Sequence, residues 1–170
     1  MTSGHDRARR WATAGLAALA LLALAGGAGR ASERKPDLPR FASLRHGKVN
    51  MRVGPGLRYP IQWVYRRRGL PVEILRDYDI WRYVRDPWGA QGWIHVRNLS
   101  AKRTVLVTGR VHRLRAEPSD KAAAVARVEP TVIGRLERCE GDWCRLSVGD
   151  YDGWLRRRDL WGVYRNETVK

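Results

Sequence analysis

The chain reads as an all-β protein: two tandem copies of one small barrel or sandwich behind an N-terminal export segment. Three observations predict this. Landmark residues recur at a spacing near 61–63 residues. Each copy consists of short period-two runs broken by Gly, Pro and Asp. No amphipathic helical pattern of ten or more residues follows the N-terminal segment. A length of 170 residues holds one ordinary domain or two small ones and excludes a large multidomain enzyme. With 44% hydrophobic and 29% charged residues the composition is that of a folded chain, not a disordered one.

Residues 1–31 read as a signal peptide. Arg7, Arg9 and Arg10 form a positive start, and Ala12 to Ala25 is an uncharged apolar core, short for a bilayer span. Small residues then allow cleavage after Ala28 or Ala31, with Ala31 favoured. The mature protein is expected in the periplasm, with no integral membrane span once the signal is removed; an uncleaved inner-membrane anchor is the alternative. Ser32 to Ala42 reads as a polar, Pro-bearing linker.

The first copy runs over 43–100 and the second over 101–164, with 165–170 a C-terminal tail; the boundary near 101 is soft by several residues. VNMRVGPG from Val49 corresponds to VHRLRAEP from Val111, and QGWIHVRNL corresponds to DGWLRRRDL. Val72, Ile74 and Arg76 alternate with Glu73, Leu75 and Asp77, as a strand with two distinct faces requires. A domain near 60 residues is marginal alone, burying only about 60% of its unfolded surface. Large aromatics offset this, since each buries roughly 150–250 Å². Trp81, Trp93, Trp143 and Trp154 occupy equivalent repeat positions and are therefore assigned to the two cores.

The order N/L-x-R-x-G-P, a hydrophobic strand, W-x-x-V, then G-W and a short polar turn resembles bacterial SH3-like domains. It is carried here by Asn50, Arg52, Gly54, Pro55, Gly92 and Trp93, and again by Arg115, Pro118, Gly153 and Trp154. The tandem copies behind a signal peptide look like exported alphaproteobacterial SH3-like (SH3b) proteins. The resemblance spans about 43–164; the second copy departs at its first loop, where Glu117 stands in place of Gly54. It implies a partly open barrel of five to six strands and a binding role, often toward cell-wall material, without catalysis.

Cys139 and Cys144 bracket Glu140-Gly141-Asp142-Trp143. With Gly141-Asp142 as a two-residue hairpin turn, Glu140 faces Trp143 and Cys139 faces Cys144, close enough for a cross-strand disulfide. Export favours that bond, and its small ring limits the entropic stabilisation to about 2 kcal/mol.

The net charge is +16, from 28 Arg and 5 Lys against 17 acidic residues. A basic surface attracts anions, but an oxidising exported compartment holds little nucleic acid, so no nucleic-acid partner is expected. His5, His46, His95 and His112 show no metal spacing, and neither G-x-S-x-G, a phosphate loop nor H-E-x-x-H occurs. No metal, no cofactor and no enzymatic activity are expected. Asp77 with Asp79, and Asp150 with Asp152, read as turn residues.

The candidate ligand residues are Tyr59, Trp63, Tyr78 and Trp88, as a groove beside the first loop, with Arg66, Arg67 and Arg68 as donors to anions. Trp63 suits core and groove equally. A second run, Arg156-Arg157-Arg158, is open to the same anion reading or to ordinary solvation. Trp161 and Tyr164 are assigned as covers of the second barrel. The leading expectation is a non-catalytic periplasmic module that binds peptidoglycan or its peptide stems through the first repeat. The alternative is an envelope adaptor that takes a partner's strand or extended peptide along an open sheet edge.

Overall fold

The structure, a computed structural model, describes residues 37–169. The signal peptide, its cleavage site and the start of the linker lie outside the described residues. The first sheet contains β1 (Arg40–Leu44), β2 (Val49–Arg52), β3 (Ile61–Tyr65), β4 (Pro71–Tyr78), β5 (Trp81–Arg85), β6 (Gln91–His95) and β7 (Leu99–Ser100). The second contains β8 (Thr104–Val107), β9 (His112–Arg115), β10 (Ala124–Val128), β11 (Ile133–Glu140), β12 (Trp143–Val148), β13 (Tyr151–Arg156) and β14 (Leu160–Trp161).

The strand orders are β3-β2-β6-β5-β4-β1-β7 and β10-β9-β13-β12-β11-β8-β14, the same path written twice. Neither sheet closes on itself, so each repeat is a partly open barrel. Register confirms the duplication residue by residue: Arg52 lies opposite Trp93 and Arg115 opposite Trp154. The long strands β4 and β11 are bulged at matching places, between Ile74 and Arg76 and between Leu136 and Arg138. A bulge bends the strand and sharpens its twist, which is how one long strand serves both halves of a small barrel.

The pairing also closes the expected disulfide. Glu140 faces Trp143, and Cys139 faces Cys144 with their Cα atoms 4.0 Å apart. In the first repeat the matching cross-strand pair is Asp77 and Arg82, joined by an ion pair of 3.0 Å that Arg40 completes at 3.1 Å. A covalent bond and a buried carboxylate with two guanidiniums thus occupy the same site of the same hairpin.

Each interior is aliphatic. Leu44, Val49, Met51, Val72, Val84 and Ile94 fill the first; Val105, Val107, Leu114, Leu146 and Leu155 fill the second, with the Cys144 side chain. None of the four repeat tryptophans belongs to either cluster. Trp81, Trp143 and Trp154 are buried, whereas Trp93, expected in the core, is only half-buried. The reason is strand alternation: Ile94 and Leu155 take the interior face, which turns Trp93 and Trp154 outward. Trp154 is then covered by Arg138, 5.2 Å over its ring.

Two segments read as peripheral join the fold. β1 begins at Arg40, so the last residues of the supposed linker belong to the first sheet. Beyond 164, the Cys139 N–H donates to the Val169 carbonyl at 3.1 Å, so the tail lies along β11. Burial pushes the Glu167 carboxyl upward, but hydrogen bonds from Arg103 and the Tyr164 N–H outweigh it and hold the group below its ordinary value.

Trp161 and Tyr164 do not simply cover the second barrel; they reach the first. Phe41 packs edge-on against Trp161 at 5.6 Å and in a tilted stack against Tyr164 at 4.6 Å. The Tyr164 hydroxyl donates to Glu73 at 2.9 Å, and Leu106 of β8 belongs to the first aliphatic cluster. The Thr104 hydroxyl adds a bond to the Gly69 carbonyl at 2.6 Å. The repeats share a seam.

Candidate functional site

The arginine of the first-loop motif braces that loop. The Arg52 guanidinium turns back and donates to the carbonyls of Leu57 at 3.1 Å and Tyr59 at 2.6 Å. Arg115 does the same to Ala122 at 2.7 Å. The departure at Glu117 follows from what packs above it. A Cβ on Gly54 would run into the Tyr59 ring, and in the second repeat Ala122 stands at the place of Tyr59, which leaves room for a side chain at 117.

Each braced loop walls a cleft, and the two clefts are equivalent. In the first repeat it encloses about 320 Å³ between the loop, the start of β5 and the 3-10 turn Val96–Asn98. Trp81 lies beneath it, with Lys48, Asn50, Leu57, Arg97 and Asn98 around it. In the second repeat it encloses about 440 Å³, with Trp143 in the place of Trp81, Asp120 in that of Leu57 and Arg158 in that of Arg97. The residue stacked on the buried indole also corresponds: His95 packs edge-on to Trp81 at 5.2 Å, and Arg156 lies 4.2 Å over Trp143.

The electrostatics of the two differ. The first cleft has Lys48, Arg52 and Arg97 and no carboxylate. His95 is held below its ordinary value by burial and then by the Arg97 charge. Its Nδ1 accepts the Arg97 N–H at 3.1 Å. The second cleft carries six arginines against Asp120 and Asp159. A hydrogen bond from Arg156, supported by the charges of Arg115 and Arg158, keeps the Asp120 carboxyl below its usual value.

The residues expected to form one groove do not all come together. Tyr59 and Tyr78 do lie in one neighbourhood: Arg58 stacks 5.1 Å over Tyr59, and Tyr78 lies near enough to bear on the same guanidinium. Tyr78 continues to Trp93 at 6.1 Å, Trp93 to Tyr83 at 5.2 Å, and Arg76 caps Tyr83 at 4.3 Å. This aromatic row sits on the outer face of the first sheet. Trp88 is elsewhere, in the β5–β6 turn that Asp86 holds through the Trp88 N–H at 2.9 Å. Trp63 stands on the edge strand β3, 53% exposed.

The arginine runs also divide. Arg67 donates from Nη2 to the Thr131 carbonyl of the second repeat and so braces the seam. Arg66 is exposed, and Arg68 borders a separate surface hollow with Arg45, His46 and Lys102. In the other run Arg156 and Arg158 face the second cleft, while Arg157 is buried and donates to the carbonyls of Gly141, Tyr164 and Glu167. Sequence reasoning singled out Asn50 only as a motif landmark, and missed Leu57 and Arg97 and, in the second repeat, Arg110, Arg113 and Arg127. Aligning the repeats and asking which loop-flanking positions change from neutral to Arg would have found part of the second set.

A small, partly open β-barrel with a braced first loop, a buried indole beneath a cleft and a G-W strand beside it defines an SH3-like domain. Both copies match the family model for the bacterial SH3 domain, over residues 46–101 and 111–162, and the chain belongs to that family. Among solved structures it is similar to NlpC2 from Trichomonas vaginalis, at 15% identity over 79% of this chain and 52% of that one, with a TM-score of 0.36. NlpC1 from the same organism gives 16%, 74%, 46% and 0.34. An NlpC/P60 family protein from Bacillus cereus gives 16%, 71%, 55% and 0.33. The chain spans about half the length of these structures, and likenesses at that level carry no argument about its activity. No curated protein matches the chain. Among the described residues no helix is long and apolar enough to cross a membrane, and no group of three or more His, Cys, Asp or Glu is placed to hold a metal ion.

Proposed function

We propose that this is an exported, non-catalytic binding protein of the cell envelope, which engages peptidoglycan through its peptide stems at the cleft of the first repeat. The observation that carries the reading is the composition of that cleft. Cations without any carboxylate attract the acidic groups of a stem peptide. Asn50 and Asn98 can pair with peptide amides. Leu57, 76% exposed at the rim, gives an apolar contact beside the loop. Arg52 is committed to loop carbonyls and shapes the cleft, leaving Lys48 and Arg97 as the mobile cations.

One observation favours a second reading, a protein adaptor. β3 ends its sheet, and Ile61, Trp63 and Val64 along it are exposed. An unpaired apolar edge can accept a partner's strand.

Co-sedimentation with purified sacculi tests the first reading. The assay is run at roughly 0.3 M salt, where exposed charges are screened more closely than the about 8 Å of physiological conditions. Leu57→Asp combined with Arg97→Glu should release the protein at least tenfold more readily, while Arg135→Gln on β11 of the second repeat should not. Binding that disappears with salt alone and ignores the double variant would contradict stem recognition. A stable co-purifying protein without sacculus retention would favour the adaptor.

A further inference from the structure

The second cleft is not a copy of the first in its chemistry. Arg113 lies directly opposite Arg127 across β9 and β10. The matching pair in the first repeat is Asn50 opposite Val64. Like charges directly opposite one another destabilise a sheet, so this pair has no structural benefit to explain it. Both side chains line the cleft, as does Arg110, and none of the three has a carboxylate or carbonyl partner among the described residues. Two of the other arginines are occupied, Arg115 bracing the loop and Arg156 pairing with Asp120 and lying over Trp143, while Arg158 reaches Asp159 only at 3.9 Å. The Arg156 Nε is buried with no acceptor at all, and a buried donor left unsatisfied carries an uncompensated desolvation penalty.

Three unpaired guanidiniums around one concavity, above an indole held down by a fourth, form a concentrated set of forked donors. Forked donors match oxyanions in a bidentate way, and a cleft with six arginines against two carboxylates raises the local concentration of anions. We propose that the cleft of the second repeat is an oxyanion site, taking a multiply charged phosphoryl or carboxylate group between Arg113 and Arg127 over Trp143. This goes beyond peptide-stem binding by the first repeat and uses none of its residues.

The test titrates the full chain with inorganic pyrophosphate and, separately, with citrate at matched ionic strength, by calorimetry and by following indole and amide resonances. Saturable binding of either anion is expected, with shifts concentrated at the Trp143 indole N–H and around Arg113. Which anion binds more tightly tells a phosphoryl from a carboxylate source. Arg113→Gln with Arg127→Gln should weaken binding at least tenfold without lowering the melting temperature, since the change relieves repulsion. Arg135→Gln should leave affinity unchanged. Absence of saturable binding, shifts spread evenly over the surface, or a double variant that binds like the parent would overturn the assignment. None of these outcomes touches the sacculus assay, which reads Leu57 and Arg97.

Discussion

Replacing Arg85 by Met is expected to cost about 3 kcal/mol of unfolding free energy, the lower end of what breaking a buried ion pair costs. Glu73 is only 4% exposed, at the seam between the repeats. Its Oε2 accepts from Arg85 Nε at 2.9 Å and Nη2 at 2.5 Å, and its Oε1 accepts from the Tyr164 hydroxyl at 2.9 Å. Burial, then the bond to Glu73, pushes the Tyr164 phenol above its ordinary value, so it remains a donor at neutral pH. Without Arg85 the carboxylate keeps its desolvation penalty and loses its counter-charge. The Arg85 side chain is itself 41% exposed, so Glu73→Gln, which leaves only a solvated guanidinium behind, should cost distinctly less. Denaturant melts of the two variants check the asymmetry. A loss below about 1 kcal/mol for Arg85→Met would show that the seam does not depend on this pair.

Gly92→Ala and Gly153→Ala should each lower stability by about 3 kcal/mol, a fall in Tm of roughly 10 °C. At both positions the G-W strand crosses the end of the first-loop strand. A Cβ on Gly92 would stand 2.7 Å from Met51 Cγ and 2.8 Å from the Arg52 carbonyl oxygen; one on Gly153 would stand 2.6 Å from Leu114 Cγ and 2.7 Å from the Arg115 carbonyl oxygen. Backbone cannot swing aside as a surface side chain can, so the crossing itself must open. It is also the crossing that carries the loop-bracing arginine, so the damage should extend to the cleft. Thermal melts of the two variants should give similar losses, because the two crossings are built alike. A loss at one position only would mean that the repeats are not mechanically equivalent.

Much of the architecture is legible in the residues, for local reasons. The two-residue turn at Gly141-Asp142 alone fixes which residues face each other, so the Cys139–Cys144 bond follows from spacing and hairpin geometry. The duplicated R-x-x-P and G-W landmarks likewise fix the repeat, because steric demands at the loop and crossing admit few side chains. Which face a tryptophan takes is a different matter. Its area favours burial on any face, and only the alternation with Ile94 and Leu155 decides that Trp93 and Trp154 turn outward. Trp81 and Trp143, conspicuous as core residues, are the floors of the clefts.

The clefts themselves could not be read directly. Asn50, Leu57, Trp81 and Arg97 come from separate segments and converge only through the strand order, whereas Tyr59, Trp63, Tyr78 and Trp88 attract attention as aromatics and are dispersed by it. The seam is equally invisible to a repeat-based reading. Arg67 with Thr131, and Tyr164 with Glu73, are contacts between copies, and a period describes only what recurs within each.

The most direct test of the first cleft as the site of recognition is a titration of the chain with soluble peptidoglycan stem peptides, monitored at the indole N–H resonances. Saturable shifts at Trp81, with Trp63 and Trp88 unmoved, are the expected result. Shifts confined to Trp63 on the open edge, with Trp81 silent, would contradict it.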